Sequence, residues 1–294
     1  MQITKAQHFV WRKYLENWCV NKQLFTKDLS TGKTFNVNPK NLLKENYIYR
    51  IPILTVNELI EIEAYVKKLS NNSAKDLNLI FFKIIKDLAL LNFVTANNKN
   101  FDITPYEKNG LEDFYTKIEN YGKELIEITS ILELERLLKS HQDKILTFIL
   151  FQYMRTQNMR NKLRALIIRD SENIRLAKEL LTPIIIANNI LCATNNSVKF
   201  KILNNQTNTT FITSDQPASN LKKDQVDEHE NVEELVVMYP LNPRMLLIID
   251  FNCDKTNIEI VTCDIETILY YNNQIVFNAN KFLISSESAI LNSI

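Results

Sequence analysis

The spacing of apolar residues changes once along the chain, and this change most constrains what the chain can fold into. Between Thr55 and about residue 195, apolar residues recur every three to four positions, as in amphipathic helices. After Asn196 they recur every second position in five short segments separated by polar turns, which is typical of strands. Helices and strands in separate parts of a chain favour an α+β fold over a βαβ alternation.

The first fifty residues add a small β element. Apolar residues on either side of the sequence STG, with Gly32 in the turn, predict a β-hairpin. Before it, Val10, Tyr14 and Trp18 stand four residues apart and predict a short helix. We therefore expect one domain over residues 1–294, in which the C-terminal sheet is mainly antiparallel and is followed by a closing helix. Its parts are a β element (1–54), a helical middle (55–195) and a sheet part (196–294).

Composition and missing motifs exclude several functional classes. The net charge of +1 excludes a generally basic nucleic-acid coat and leaves only a local basic patch. The sequence holds 3 glycines, too few for a phosphate-cradling loop, and it contains neither GxxxxGK[ST] nor GxGxxG. HExxH and GxSxG are also missing. P-loop enzymes, Rossmann oxidoreductases and the common serine hydrolases are therefore excluded.

The sequence predicts a cytoplasmic protein that does not enter a membrane. Residues 180–192 form the longest apolar segment, and Pro183 interrupts it well short of the roughly 18 residues of a membrane span. The opening residues lack the apolar region of a signal peptide. Dispersed cysteines without metal-ligand spacing suit reduced thiols. These cysteines are Cys19, Cys192, Cys253 and Cys263.

Basic residues in the N-terminal β element and in the helical middle are candidates for binding an anion. His8 and Arg12 stand one helical turn apart, so that together they can hold a phosphate. Alternatively, His8 bonds to backbone and Arg12 meets a carboxylate. Arg160 and Arg164 form a cationic stripe on one helix face, with Arg155 shortly before them. Such a stripe can contact phosphates, although a solvated face is the alternative.

The segment FITSDQP places polar residues at the end of a predicted strand. Ser214 and Asp215 follow the apolar Ile212, and a carboxylate held at a sheet rim can act as a metal ligand or general base. The alternative is a turn in which these side chains bond backbone amides before Pro217. A divalent metal site would need further carboxylates to converge there. Candidates for these are Glu45, Glu61 and Glu63.

The opening QHFVWRKYLENW resembles the start of a large, mostly bacterial family, domain of unknown function 4238. The resemblance continues in order through TKDLSTGKTF, NLLKENYIY, IEIEAYV, RTQ, FITSDQP, YPLNPRMLLII and NNQIVFNA, from His8 to about Ala279. Trp11 and Gln157 stand where the family usually has proline. The resemblance implies a shared set of polar positions but names no reaction. In this sequence they are His8, Glu45, Glu63, Arg155, Thr213, Ser214 and Asp215.

Three functional hypotheses follow from these residues. The first is a nuclease-like phosphodiester hydrolase of a bacterial defence or toxin system, with nucleic acid as substrate and a divalent metal as an option. Its catalytic groups are His8, Glu63 and Asp215, and its substrate-binding groups are Arg12, Arg155, Arg160 and Ser214. The second is a non-catalytic sensor or partner-binding subunit that uses the same polar pocket for a small anionic ligand. The third is a purely structural network.

Overall fold

The computed structural model describes residues 6–96, 98, 101–194, 197–227 and 234–294. Short strands come first, helices fill the middle, and a sheet with closing helices ends the chain. This order confirms the predicted α+β fold.

The N-terminal part consists of short strands around one small helix. Its elements are β1 (Ala6–His8), α1 (Arg12–Glu16), β2 (Leu24–Asp28), β3 (Thr34–Val37), a 3₁₀ turn (Pro39–Asn41) and β4 (Lys44–Asn46). The predicted hairpin is β2–β3, and Gly32 in its turn has a φ of +69°, which favours glycine. The predicted short helix is α1.

The helical middle begins at Thr55, as the sequence predicts. Thr55 Oγ1 accepts from the backbone N–H of Glu58, and the Glu58 carboxylate accepts from the backbone N–H of Thr55, forming a capping box. The helices are α2 (Val56–Leu69), α3 (Lys75–Thr95), α4 (Thr104–Asn109), α5 (Glu112–Tyr121), α6 (Lys123–Ile126), α7 (Ile131–Ser140), α8 (Gln142–Met154), α9 (Gln157–Leu166) and α10 (Glu172–Thr194).

In the described part of the chain, α10 is the one helix whose length and composition alone would suit a membrane span. Half of its most apolar window is buried inside the fold, and Ile184 and Ile185 are completely buried. Core helices commonly pass the same test, so this property is weak support for a membrane span.

The C-terminal part is a sheet followed by a helix, a strand and a last short helix. Its elements are β5 (Lys199–Asn205), β6 (Thr213–Ser214), β7 (Ser219–Asn220), β8 (Val236–Asn242), β9 (Met245–Asp250), β10 (Asn257–Cys263), α11 (Ile265–Asn278), β11 (Phe282–Ser285) and α12 (Ser288–Ser293). One sheet has the order β10-β5-β9-β8-β7, in which β10 and β5 are parallel and the other pairs antiparallel. The prediction of a mainly antiparallel sheet is confirmed.

A second sheet, of order β3-β2-β11-β6, joins the two ends of the chain. Phe282 of β11 lies opposite Asp28 of β2, and Leu283 lies opposite Ser214 of β6. The N-terminal hairpin and the segment FITSDQP therefore belong to the same sheet.

A buried aromatic cluster fixes α1 against the helical middle and the C-terminal sheet. The ring centroids of Tyr14 and Tyr239 lie 5.1 Å apart, and those of Phe148 and Tyr239 lie 6.0 Å apart. These residues and Trp18 are completely buried. Large aromatic side chains contribute much of the burial energy of a core, so α1 is held firmly despite its short length.

The four cysteines are free.

Candidate functional site

A polar pocket of about 390 Å³ opens between β1, α1 and α5. Its volume falls within the range of about 300–1,000 Å³ that small-molecule sites occupy. The residues that line it are His8, Trp11, Arg12, Lys13, Tyr49, Glu112, Tyr115, Thr116 and Glu119. We call it the His8 pocket.

One face of α5 forms a complete wall of the His8 pocket. Glu112, Tyr115, Thr116 and Glu119 are spaced by three, four and seven residues, which places them on one side of a helix. Gly110 lies just before α5 and lets this helix begin close to the segment that follows Tyr49. An ideal Cβ at Gly110 would lie 2.2 Å from Ile51 Cδ1 and 2.8 Å from the Tyr106 carbonyl oxygen. A larger residue would push this wall outward.

The opposite wall is held by β1 and β4. In their register His8 lies opposite Lys44. The side chain of Gln7 accepts from the backbone N–H of Tyr49 at 3.0 Å. This hydrogen bond ties β1 to the segment after β4 that contributes Tyr49 to the pocket. Leu43 and Tyr47, on either side of β4, have φ angles of 53° and 55°. Non-glycine residues adopt this left-handed conformation at an energetic cost, and such residues concentrate at functional sites.

Arg155 lies beneath the pocket at the end of α8 and is 3% exposed. Its Nη2 donates to the Glu119 carboxylate at 2.8 Å and to Gln152 Oε1 at 2.9 Å. Its guanidinium carbon lies 5.7 Å from the centre of the Tyr115 ring. Burial acts to lower the pKa of Arg155, but Tyr49 and Glu119 outweigh it and the pKa is raised. The pocket therefore rests on a buried, permanently charged guanidinium.

Several buried polar atoms in and beside the pocket have no hydrogen-bond partner among the described residues. They are His8 Nδ1, Glu112 Oε2, Arg155 Nε and Gln152 Nε2. Native proteins pair the large majority of buried polar atoms, and each exception costs about 1–3 kcal/mol. Two of these atoms, His8 Nδ1 and Glu112 Oε2, belong to residues that line the pocket and are candidates for hydrogen bonds to a bound molecule.

The environments of His8 and Glu112 move their pKa values in opposite directions. Burial lowers the pKa of His8 from 6.5 and the positive charges of Lys44 and Arg12 add to the effect, whereas a hydrogen bond with the Leu42 backbone opposes it. Burial raises the pKa of Glu112 from 4.5, and the neighbouring Glu119 adds to that rise. His8 is therefore neutral at pH 7, and Glu112 keeps its proton to a higher pH than an ordinary glutamate.

The mouth of the pocket carries the more exposed charges. Arg12 pairs with Glu16 at 3.3 Å, and its side chain is 58% exposed. Lys13 pairs with Glu127. Exposed ion pairs contribute little free energy, so an incoming anion can take the place of either glutamate.

The predicted cationic stripe on α9 is matched by acidic partners. Arg160 Nη1 lies 3.1 Å from Glu45 Oε2, and Arg164 Nε lies 2.9 Å from Glu179 Oε2. Arg160 is close enough to the pocket to influence the pKa of Tyr49 and Tyr115. It supports the pocket from outside.

The segment FITSDQP forms a tightly bonded turn against the loop between α11 and β11. Asp215 Oδ1 accepts from the backbone N–H of Asn280 at 2.9 Å, and Oδ2 accepts from that of Lys281 at 2.8 Å. Ser214 Oγ accepts from the backbone N–H of Gln216 at 3.0 Å. Burial raises the pKa of Asp215, and the backbone hydrogen bonds oppose the rise. These contacts match the turn alternative.

Glu63 lies on α2 and pairs with Lys67 one turn along the same helix. The lining of the His8 pocket, within the part of the chain described, includes His8 and Arg12 but not Glu63, Ser214 or Asp215. The structure thus brings together His8, Arg12 and Arg155 and places the other candidates elsewhere. Among the described residues, no group of three or more His, Cys, Asp or Glu side chains is arranged to hold a metal ion.

The family model described as "Protein of unknown function (DUF4238)" matches residues 6–289. The chain belongs to this family. No curated protein and no solved structure matches the chain. Because the DUF4238 description carries no reaction, function has to be argued from the His8 pocket itself.

Sequence reasoning about this DUF4238 protein missed the residues that α5 contributes. Glu112, Tyr115 and Glu119 face the pocket together with the N-terminal residues, as does Tyr49. Their signal was present in EDFYTKIEN, where two glutamates seven residues apart share a helix face with an aromatic residue. Nothing local in that pattern distinguishes a pocket wall from a solvated helix face.

Proposed function

We propose that the His8 pocket binds a small anionic ligand and that the protein acts as a ligand sensor or partner-binding subunit. The observation that carries this proposal is the pair of unpartnered buried atoms, His8 Nδ1 and Glu112 Oε2, in one small-molecule-sized pocket of the described structure. A ligand that supplies both hydrogen bonds removes both penalties at once.

The charges suggest how such a ligand lies. Its anionic group meets Arg12 and Lys13 at the mouth, where their glutamate partners are easily displaced. Its inner end carries a hydrogen-bond donor for Glu112 and a group that can bond to His8. Arg155 stays bound to Glu119 and keeps the α5 wall in position.

Calorimetric titration with phosphate, adenosine monophosphate and citrate tests this proposal. We expect at least one to bind at millimolar concentration or below, and His8→Gln and Glu112→Gln to weaken it by about tenfold or more. Lys68→Met, an exposed lysine on α2, is the matched control and should leave binding unchanged. Absence of binding by all three compounds, or equal binding by the pocket variants, would contradict the proposal.

A second candidate function, phosphodiester hydrolysis, is favoured by the opposite pKa shifts of His8 and Glu112. Groups whose pKa values are moved in this way suit the roles of base and acid. His8 Nδ1 takes a proton from water, whose oxygen forms a bond to phosphorus. Glu112 gives its proton to the leaving oxygen as the second phosphorus–oxygen bond breaks. Arg12 and Lys13 stabilise the charge that develops on phosphorus oxygens.

This candidate makes a specific statement about pH. The reaction needs neutral His8, whose pKa is lowered from 6.5, and protonated Glu112, whose pKa is raised from 4.5. The rate therefore falls at acid pH as His8 gains a proton and at alkaline pH as Glu112 loses its proton, which gives a bell-shaped pH profile. Hydrolysis of bis(para-nitrophenyl) phosphate as a function of pH measures this profile, with Glu112→Gln as the inactive variant. A rate that does not fall at alkaline pH argues against these roles. Roles in nucleic-acid cleavage or defence, and the cytoplasmic location, stay predictions from the sequence.

A further inference from the structure

A second pocket, of about 220 Å³, lies between α9, the segment after Asp215 and the end of α11. It is smaller than a typical drug-sized site, so any ligand it holds is compact. The residues that line it are Tyr153, Thr156, Asn158, Met159, Asn161, Lys162, Gln216, Ala218, Ser219, Asn220, Lys223 and Asn278. We call it the amide pocket.

The amide pocket brings like charges together. Lys162 and Lys223 both line it, and Lys223 Nζ lies 4.0 Å from the centre of the Phe277 ring. Burial lowers the pKa of Lys223; Lys162 lowers it further, and the adjacent Asp224 opposes both. Among the described residues that form the lining, none is an aspartate or a glutamate. Two positive charges facing one small pocket create a local potential that attracts an anion.

The amide groups of this pocket are held in fixed positions by the protein. Asn158 Nδ2 donates to the Asn278 carbonyl oxygen at 2.9 Å, and the Asn158 backbone N–H donates to Gln216 Oε1 at 3.2 Å. Gln216 Nε2 in turn donates to the Asp215 carbonyl oxygen at 2.9 Å. Groups fixed in this way bind a ligand with little loss of side-chain entropy. The turn around Asp215 thus supports one wall of the pocket.

We propose that the amide pocket is a second ligand site, which takes the phosphate group of a compact hydroxyl-bearing molecule. Lys162 and Lys223 neutralise the phosphate. Asn158 and Asn161 present amide atoms, which both donate and accept, to the hydroxyl groups. The proposal concerns different residues from those of the His8 pocket and does not rest on its function.

Titration calorimetry with glycerol phosphate, inorganic phosphate and glycerol tests the amide pocket, using the His8→Gln protein so that the first pocket is weakened. We expect glycerol phosphate to bind more tightly than inorganic phosphate, and glycerol not to bind. Lys162→Met and Lys223→Met should each weaken binding by about tenfold or more, because each removes a charged partner. Lys68→Met should not change it.

Asn161→Asp is a variant that should repel the ligand without disturbing the fold. Asn161 is exposed, and an aspartate preserves the oxygen that accepts from Gln157 Nε2 at 3.0 Å. Its negative charge should weaken binding as strongly as the lysine substitutions do, whereas Lys162→Arg should preserve binding. Failure of glycerol phosphate to bind overturns the proposal. So does binding that the Lys162, Lys223 and Asn161 substitutions leave unchanged.

Discussion

The His8 pocket and the turn around Asp215 are both buried and polar, but they differ in how their polar atoms are satisfied. At the turn, both carboxylate oxygens of Asp215 accept backbone hydrogen bonds. At the pocket, His8 Nδ1 and Glu112 Oε2 have no partner within the described residues. A satisfied group stabilises the fold, whereas an unsatisfied one lowers stability until something binds to it. The difference supports the turn alternative for Asp215 and the proposal that the His8 pocket binds a ligand.

The contrast also exists within the pocket, between the two glutamates of α5. Glu119 is paired with the buried Arg155, while Glu112 has an unpartnered oxygen among the described residues and a raised pKa. One helix face therefore carries, seven residues apart, a carboxylate paired with Arg155 and a carboxylate that we propose contacts a ligand. Substitution of each by glutamine separates the two roles.

The largest effect is expected for Glu119→Gln. It leaves the Arg155 guanidinium buried without its carboxylate, which we expect to reduce the free energy of unfolding by about 3–5 kcal/mol. Urea denaturation measures this loss, and Glu112→Gln on the same helix is the control. A loss below about 1 kcal/mol would show that Arg155 does not depend on Glu119.

A smaller loss, of about 1–3 kcal/mol, is expected for Asp215→Asn. The amide can accept from only one of the two backbone N–H groups, at Asn280 or Lys281, and its NH₂ faces the other. Asp254→Asn, at an exposed position, should change stability by less than about 0.5 kcal/mol. Unchanged stability in Asp215→Asn, together with lost activity, would return Asp215 to the catalytic candidates.

Glu112→Gln should leave stability at pH 7 unchanged within about 0.5 kcal/mol, or increase it, while ligand binding is weakened by about tenfold or more. The folded-state pKa of Glu112 is raised above 4.5, so the folded chain holds this proton longer than the unfolded chain does. The stability this gives is complete below 4.5 and is lost as the pH rises through the folded pKa. Glutamine does not titrate, so the variant does not lose this stability as the pH rises. Urea melts at several pH values measure it, and a clear destabilisation at pH 7 would make Glu112 structural.

The smallest effect is expected for Glu63→Gln. Its exposed pair with Lys67 is of the i, i+4 type and contributes less than about 0.5 kcal/mol. Thermal unfolding and ligand titration should both match the parent protein. Loss of ligand binding in this variant would restore Glu63 to the site and weaken the assignment of recognition to the His8 pocket.

Local patterns predicted much of the fold. The apolar periods indicated the helices and most of the C-terminal strands, and Thr55 and Gly32 marked a helix start and a turn. The predicted strand that ends at Ile212 is wrong in its bounds, because the structure has only the two-residue β6 (Thr213–Ser214) there. The strand β7 is equally short and carries too few side chains for any period to show. Both strands exist because neighbouring strands pair with them.

The candidate site was predicted in part. His8 and Arg12 do line one pocket and Arg155 pairs with Glu119 of its wall, but Asp215 does not line it. The partners of Asp215 are backbone amides some 65 residues further along the chain, and any residue type can supply a backbone amide. A sequence pattern therefore could not show that its charge is already satisfied. The burial of Arg155 likewise depends on α5, which is distant in sequence.

The pairing of β2 with β11 has a consequence for the order in which the chain acquires its structure during synthesis. The β2–β3 hairpin emerges from the ribosome long before β11, so one edge of β2 gains its partner only when residues 282–285 have been made. Until then that edge is open to other chains, and closing such a long loop is slow. Protease sensitivity of ribosome-bound chains that end before Phe282 would measure the delay. The sheet that joins the hairpin to the segment FITSDQP is therefore completed only after β11 has been synthesised.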